Sequence, residues 1–366
     1  MIKSLESDML WGMVVIHIAC VDKSIIGGVQ VAVPQMIRAQ SQFATVGCIN
    51  VFGDAFDEVR MLPCNDEMNF SAFPPPFDHP DLVVFHEVYR FKYIKLYKKL
   101  VKSHIPYVVI PHGCLSKEAQ KRKRLKKMTA NVLFFKRFLR YAVAIQYLSE
   151  NEKRLSAFKK YPSIVCGNGI ELPSNKKSEF FKDGIRFVYI GRLEIITKGL
   201  DLLLAAVKRC QSSMRSNSAH LEIYGPNYDG EQEFLRGLAN DYRVSDIVTI
   251  GGAKMGEEKK RILLSSDCFI QPSRTEALPM GPLEALSYGL PTIVTKAATL
   301  GEKIETYGAG LQAETSADGI AKAIIGFMNC ASKIEIMSES SIRLVSEQYD
   351  IGRIAEQTVK EYSKLF

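Results

Sequence analysis

Twice along the chain, short apolar runs that read as buried strands alternate with helical stretches, and a polar, turn-rich segment divides the two series. This pattern predicts an α/β protein of two doubly wound parallel-sheet domains, because strands covered by helices on both faces are apolar throughout instead of alternating. The length agrees: 366 residues, 46% apolar and 24% charged, exceed what one compact layer needs and allow each half its own core.

The first series begins with MVVIHIA at 13–19, which ends at the loop Gly27-Gly28-Val29 before a helix in VAVPQMIRAQSQ. Further strands are expected at TVGCINVF, DLVVFHE and YVVIPHG, and AIQYLS and SIVCGNGI complete the half. PSNKKSEFFKDG is polar and rich in turn formers, so it reads as a linker at 173–184 between domains at 1–172 and 185–345. The second series starts with IRFVYIGRL, continues into a helix in KGLDLLLAAVKRC, and adds strands at HLEIYG, IVTIGG, CFIQPS and PTIVT. Each of these ends in Gly, Pro or Ser or runs out at a loop, where a ligand can approach the backbone. The closing YDIGRIAEQTVKEYSKLF, within 346–366, is amphipathic and is expected to cross back to the first domain.

Composition removes several function classes. The eight cysteines are scattered, with no C-x-x-C pair and no metal-ligand spacing, which fits reduced thiols of a cytoplasmic protein. The N-terminal stretch carries acids before its apolar run and no small-residue cleavage site, and so reads as a first strand, not a signal peptide. No apolar stretch reaches the roughly 18 residues of a membrane span. The formal charge of +8 is concentrated in residues 117–140, KEAQKRKRLKKMTANVLFFKRFLR, where ten Lys or Arg accompany one Glu. Leu125, Met128, Val132, Leu133 and Phe135 recur there near helical spacing, the pattern of a helix lying on an anionic membrane surface. KYIKLYKKLVKSH at 92–104 adds to that basic surface. A solvated helix face is the plain alternative; nucleic acid is not expected, since no recognition module or aromatic stacking motif accompanies the charge.

Four charged residues carry the chemistry. Glu276 and Glu284 lie at a strand-to-helix junction, SRTEALPMGPLEALSYG, and Arg192 and Lys198 lie upstream in GRLEIITKGL. Two carboxylates can hold sugar and ribose hydroxyls while two cations neutralise a diphosphate between them, so the set points to a nucleotide-sugar site with no required metal. Lys198 is expected at the start of a helix, where a cation opposes the helix dipole and needs a further reason to be present. Gly27 and Gly28, between strand and helix, leave backbone N–H groups open to phosphate or acceptor, a weak signal alone since no G-x-G-x-x-G is present. His112, following YVVIP and preceding Gly113, is expected to point from the sheet edge. His86-Glu87 sits at another strand end, where it would touch the acceptor; it opens like a zinc motif but lacks the second His.

Taken in order, Gly27-Gly28-Val29, Pro111-His112-Gly113, Asn168-Gly169-Ile170, Gly191-Arg192-Leu193, Lys198-Gly199, Tyr224-Gly225 and Glu276 to Glu284 resemble the retaining glycosyltransferases of family 4 over nearly the whole chain. The segment from Pro111 to Lys153 is similar to the subgroup that builds bacterial capsular, O-antigen or exopolysaccharide units. The resemblance implies the GT-B architecture, two Rossmann-like domains facing across a cleft. It implies a catalytic role at the donor sugar for His112 and Glu276, ribose binding by Glu284, and a sugar and diphosphate lining from the backbone at Leu278 and Met280. Base choice is expected at the turn containing Gly252 and Ala253. Ala277 stands where the family usually has Gly. The implied reaction moves a sugar from a nucleotide diphosphate donor, UDP-sugar first and GDP-sugar second, to a lipid-linked saccharide at the inner membrane face. A noncatalytic saccharide- or membrane-binding scaffold and a nucleotide-sugar epimerase of the same fold are the alternatives; a dehydrogenase is disfavoured by the missing dinucleotide fingerprint.

Overall fold

The computed structural model describes residues 12–22, 27–64, 69–121, 124–181, 184–276 and 278–366. They form two compact units.

The first unit holds a six-stranded sheet in the order β2-β1-β3-β4-β5-β6, with β1 Val14–Ala19, β2 Thr45–Asn50, β3 Leu82–His86, β4 Tyr107–Ile110, β5 Ala144–Tyr147 and β6 Ser163–Val165. All its pairings are parallel. β1 and β3 are buried along their whole length, as expected of strands covered on both faces. An aromatic cluster fills one side: Phe85 lies 4.9 Å from Tyr93 and 5.2 Å from Phe138 between ring centroids, in tilted and edge-to-face geometry. The helix Phe91–Lys102 shows why KYIKLYKKLVK takes this form. Tyr93, Ile94, Leu96, Tyr97 and Leu100 face the core at helical spacing while Lys95, Lys98 and Lys99 stay in solvent.

The final helix, Ile351–Ser363, belongs to this unit. Its buried Ile351 and Ala355 pack with Met36 and Ala39 of the helix Gly28–Gln40. Gly169 permits this approach, since a Cβ there would stand 2.4 Å from the Ile351 Cα.

The second unit repeats the plan with β7 Arg186–Ile190, β8 His220–Tyr224, β9 Val248–Gly251, β10 Cys268–Gln271, β11 Thr292–Thr295 and β12 Gly310–Ala313. Their order, β12-β11-β10-β7-β8-β9, reverses direction between β7 and β10. In doubly wound sheets ligands bind beyond the strand carboxyl ends at such a reversal. Residues 173–181 contain no helix or strand, yet Lys177 is buried there, its Nζ 3.4 Å from Oδ1 of the buried Asp267. That ion pair holds the polar segment against the second unit.

Candidate functional site

The carboxyl ends of β7 and β10 carry the residues of interest. After β7 the chain makes the turn Gly191–Leu193 and a four-residue helix, Ile195–Lys198, closed by Gly199 with φ of 69°. Lys198 therefore ends a short helix, the end that favours a cation, and does not open the long one as its sequence context suggested. Gly199 must be glycine: besides its left-handed backbone, a Cβ would stand 2.1 Å from the Pro272 carbonyl oxygen in the loop after β10. Arg274 fastens the same two loops, donating its backbone N–H to the Thr197 carbonyl at 2.9 Å and a two-pronged guanidinium to Asp201 at 2.7 and 2.6 Å.

This stitching brings Lys198 to Glu276. The ammonium donates to Oε2 at 2.5 Å, and Ser273 Oγ donates to the same oxygen at 3.3 Å. Ser273 is itself held, accepting from Gln271 Nε2 at 2.6 Å, while its carbonyl accepts from Thr295 Oγ1 at 2.5 Å. The pair is mostly but not wholly covered, with side-chain exposures of 15% and 20%. An ammonium has three donors and a carboxylate about four acceptor sites, so each partner keeps capacity for a ligand.

Arg192 lies in the adjoining turn. Its guanidinium is 46% exposed and pairs with Glu194 at 3.7 Å, while its carbonyl accepts from the Tyr189 hydroxyl at 2.7 Å. Burial pushes the Tyr189 phenol above its ordinary value, and the charges of Glu276, Arg192 and Glu194 all act on it. Glu276 and Arg192 thus share one neighbourhood.

Glu284 sits inside the helix Met280–Ser287 and is ion-paired with Lys259 of the helix Gly256–Ser265, not with Lys198. Lys259 escaped sequence reasoning because GEEKKR reads as an ordinary solvated helix start. Leu278 is buried and Met280 is the first helical residue after Pro279, where the leading N–H groups lack intrahelical partners. Gly252 and Ala253 are exposed in the loop after β9, and a Cβ at Gly252 would meet nothing. Ala277 lies outside the described residues.

In the first unit His112 follows β4 and Pro111 with φ of 48°, and Gly113 follows with 81°. The buried Glu152 pins this turn, accepting from Gly113 N–H at 2.6 Å and from Leu148 N–H at 2.7 Å. His112 Nε2 is 3.1 Å from His86 Nδ1, and burial lowers the His112 pKa to about 4, so the ring is neutral near pH 7. His86 was expected to touch an acceptor. It is instead 3% exposed, enclosed between His17 and His112 and beyond the reach of a ligand. Gly27 forms a bend and Gly28 opens the helix Gly28–Gln40. Among the described residues no group of three His, Cys, Asp or Glu is arranged to hold a metal ion.

Residues 170–343, nearly the whole second unit, match the family model described as glycosyl transferases group 1. That match covers a little under half of the chain. Among curated relatives, the chain is 26% identical over 219 residues to the phosphatidylinositol N-acetylglucosaminyltransferase gpi3 subunit of Schizosaccharomyces pombe, covering 59% of this chain and 44% of that protein. It is 25% identical over 279 residues to the putative teichuronic acid biosynthesis glycosyltransferase TuaC of Bacillus subtilis, covering 71% and 64%. Both matches span less than two thirds of the relative's own length. Among solved structures, HepE of Anabaena, crystallised with UDP and glucose, aligns over 96% of this chain and 100% of that chain with a TM-score of 0.73 at 17% identity. The chain has the GT-B fold of two Rossmann-like parallel-sheet units, and in the unit matched by that family model Lys198, Glu276 and Arg192 stand beside the switch point.

Proposed function

We propose that the chain is a retaining glycosyltransferase that moves a sugar from a UDP-sugar to a lipid-linked saccharide in surface polysaccharide synthesis. The observation that carries the proposal is the Lys198–Glu276 contact at the β7/β10 switch point with Arg192 in the adjoining turn. Lys198 and Arg192 take the charge of the leaving diphosphate, the work otherwise left to a metal ion. Glu276 accepts from sugar hydroxyls and Glu284 from the ribose hydroxyls, exchanging part of its contact with Lys259. Gly252 and Ala253 border the base, and the backbone from Leu278 to Met280 borders the sugar and diphosphate. Gly27 and Gly28 leave room for phosphate or acceptor, and His112 hydrogen-bonds the sugar.

In the transfer the acceptor oxygen forms a bond to the anomeric carbon on the face from which the diphosphate departs. The anomeric carbon–oxygen bond to phosphate breaks, and the acceptor proton passes to the leaving phosphate oxygen. Configuration is thereby retained without a protein nucleophile, and the protein contributes positioning and charge stabilisation. The UDP and glucose bound by HepE, and the teichuronic acid biosynthesis in the name of TuaC, are in keeping with this donor and setting.

The acceptor end rests on residues 117–140, which would hold the chain at an anionic membrane on its cytoplasmic side. Leu125, Met128, Val132 and Leu133 are exposed beside the cations, whereas Phe135, Phe138 and Leu139 turn into the core. Among the described residues no helix is long and apolar enough to cross a membrane.

A panel of nucleotide sugars in a thermal-shift assay without divalent metal tests the donor. A bound UDP-sugar at 100 times its Kd should add about 2.7 kcal/mol to apparent stability. Equal shifts with every nucleotide, or none, would remove the donor assignment.

A further inference from the structure

The first unit contains a buried polar chain whose direction can be worked out from one end. The Cys166 carbonyl can only accept, and Gln146 Nε2 donates to it at 3.1 Å. The amide of Gln146 is thereby oriented, and its Oε1 accepts from the Tyr362 hydroxyl at 2.5 Å. With its proton committed, the Tyr362 oxygen can only accept, and the side chain of Gln40 donates to it. The Gln40 carbonyl oxygen then faces His17 Nε2 at 3.0 Å, so that nitrogen carries the hydrogen.

The same logic passes through the imidazoles. A neutral ring protonated at Nε2 is bare at Nδ1. His17 Nδ1 lies 3.0 Å from His86 Nε2, which must donate, and His86 Nδ1 lies 3.1 Å from His112 Nε2, which must donate in turn. His17, His86, Gln40 and Gln146 are each at most 3% exposed, and burial keeps the rings uncharged, so a second proton cannot blur the order. Reversing any link would set two lone pairs or two hydrogens face to face without water, at a cost of about 1–3 kcal/mol. The far nitrogen of the half-buried His112 has no partner among the described residues.

We propose that this chain, running from the Cys166 carbonyl through Gln146, Tyr362, Gln40, His17 and His86, fixes His112 as its Nε2–H tautomer and presents Nδ1 as an acceptor for a hydroxyl of the transferred sugar. Tyr362, on the final helix, and Gln40, on the helix Gly28–Gln40, are then positioning residues for His112, which neither of them touches. The last clause rests on the glycosyl transfer proposed above; the tautomer assignment does not.

Nitrogen-15 NMR of the full chain labelled at histidine, at pH 7.5, tests it directly. The expected result is Nε2–H for His17, His86 and His112, assigned by single substitutions. Tyr362→Phe and Gln40→Leu should each give His112 a mixture of tautomers. Tyr362→Phe should also lower kcat for sugar transfer roughly tenfold, the loss of about one hydrogen bond in the transition state, with the donor KM little changed. Finding Nδ1–H on His112 in the wild-type chain, or an unchanged tautomer in both Tyr362→Phe and Gln40→Leu, would overturn the proposal. A wild-type chain showing the expected tautomers but transferring no sugar would instead overturn the glycosyl transfer.

Discussion

Lys198 and Glu276 are 78 positions apart and meet at 2.5 Å because Gly199 lets the loop after β7 lie against the backbone of the loop after β10. The pair joins the two sides of the sheet reversal. Because the pair is mostly covered, desolvation of both groups offsets much of their attraction, and its net contribution to stability is small.

Lys198→Ala and Glu276→Ala should each lower kcat for sugar transfer at least a hundredfold while shifting the urea midpoint only slightly. Lys198→Arg should restore little, because a planar fork cannot replace a compact ammonium 2.5 Å from the carboxylate. Steady-state kinetics beside denaturation curves decide this; full activity in either alanine variant refutes the donor site.

Gly199→Ala should be worse for the fold than either of those. The new methyl would collide with the Pro272 carbonyl in a backbone at φ of 69°, costing more than about 1 kcal/mol. Denaturation should show that loss, and transfer should fall with it because Lys198 moves away from Glu276. An unchanged midpoint would show that the two loops need no such close approach.

Acid should destabilise the first unit through its histidines. Burial depresses His17 and His112 to about 4, and His86 well below its ordinary range. An unfolded histidine titrates near 6.5, so from about pH 6.5 down to about 4 the unfolded chain binds the extra protons. Stability should therefore be level above that window and fall with pH inside it, by about 1.4 kcal/mol per pH unit for each histidine. His17→Asn should remove about one proton from the slope measured by urea denaturation at successive pH values; an undiminished slope would mean that His17 is already charged in the fold.

Replacing Arg124 and Lys126 by Gln should weaken binding to anionic vesicles by roughly fivefold per charge, with the difference shrinking as salt rises. Leu125→Ser should weaken it further without loss of stability, since Leu125 is 75% exposed. Cosedimentation unchanged in all three variants would reduce residues 117–140 to a solvated surface.

The strands were plain from composition because a parallel strand buried on both faces is largely apolar, as VVIHIA and LVVFH are apart from His17 and His86. β12, Gly310–Ala313, was not, since GLQA is a short edge strand with two half-buried positions and no apolar run. The type of charge needed at the site was legible in Arg192, Lys198, Glu276 and Glu284. Its pairing was not, for Glu284 turned out to be held by Lys259, a residue that sequence spacing marks as surface.

What the amino-acid order alone determined is the two series of apolar strands, the basic segment and the motif residues, because periodicity and charge are local properties. Which groups meet was decided only by the tertiary structure. Gln146 and Tyr362, 216 positions apart, are joined by a 2.5 Å hydrogen bond that no local pattern announces. Sheet order and helix docking bring such groups together, and a buried donor must then find an acceptor wherever the chain has placed one.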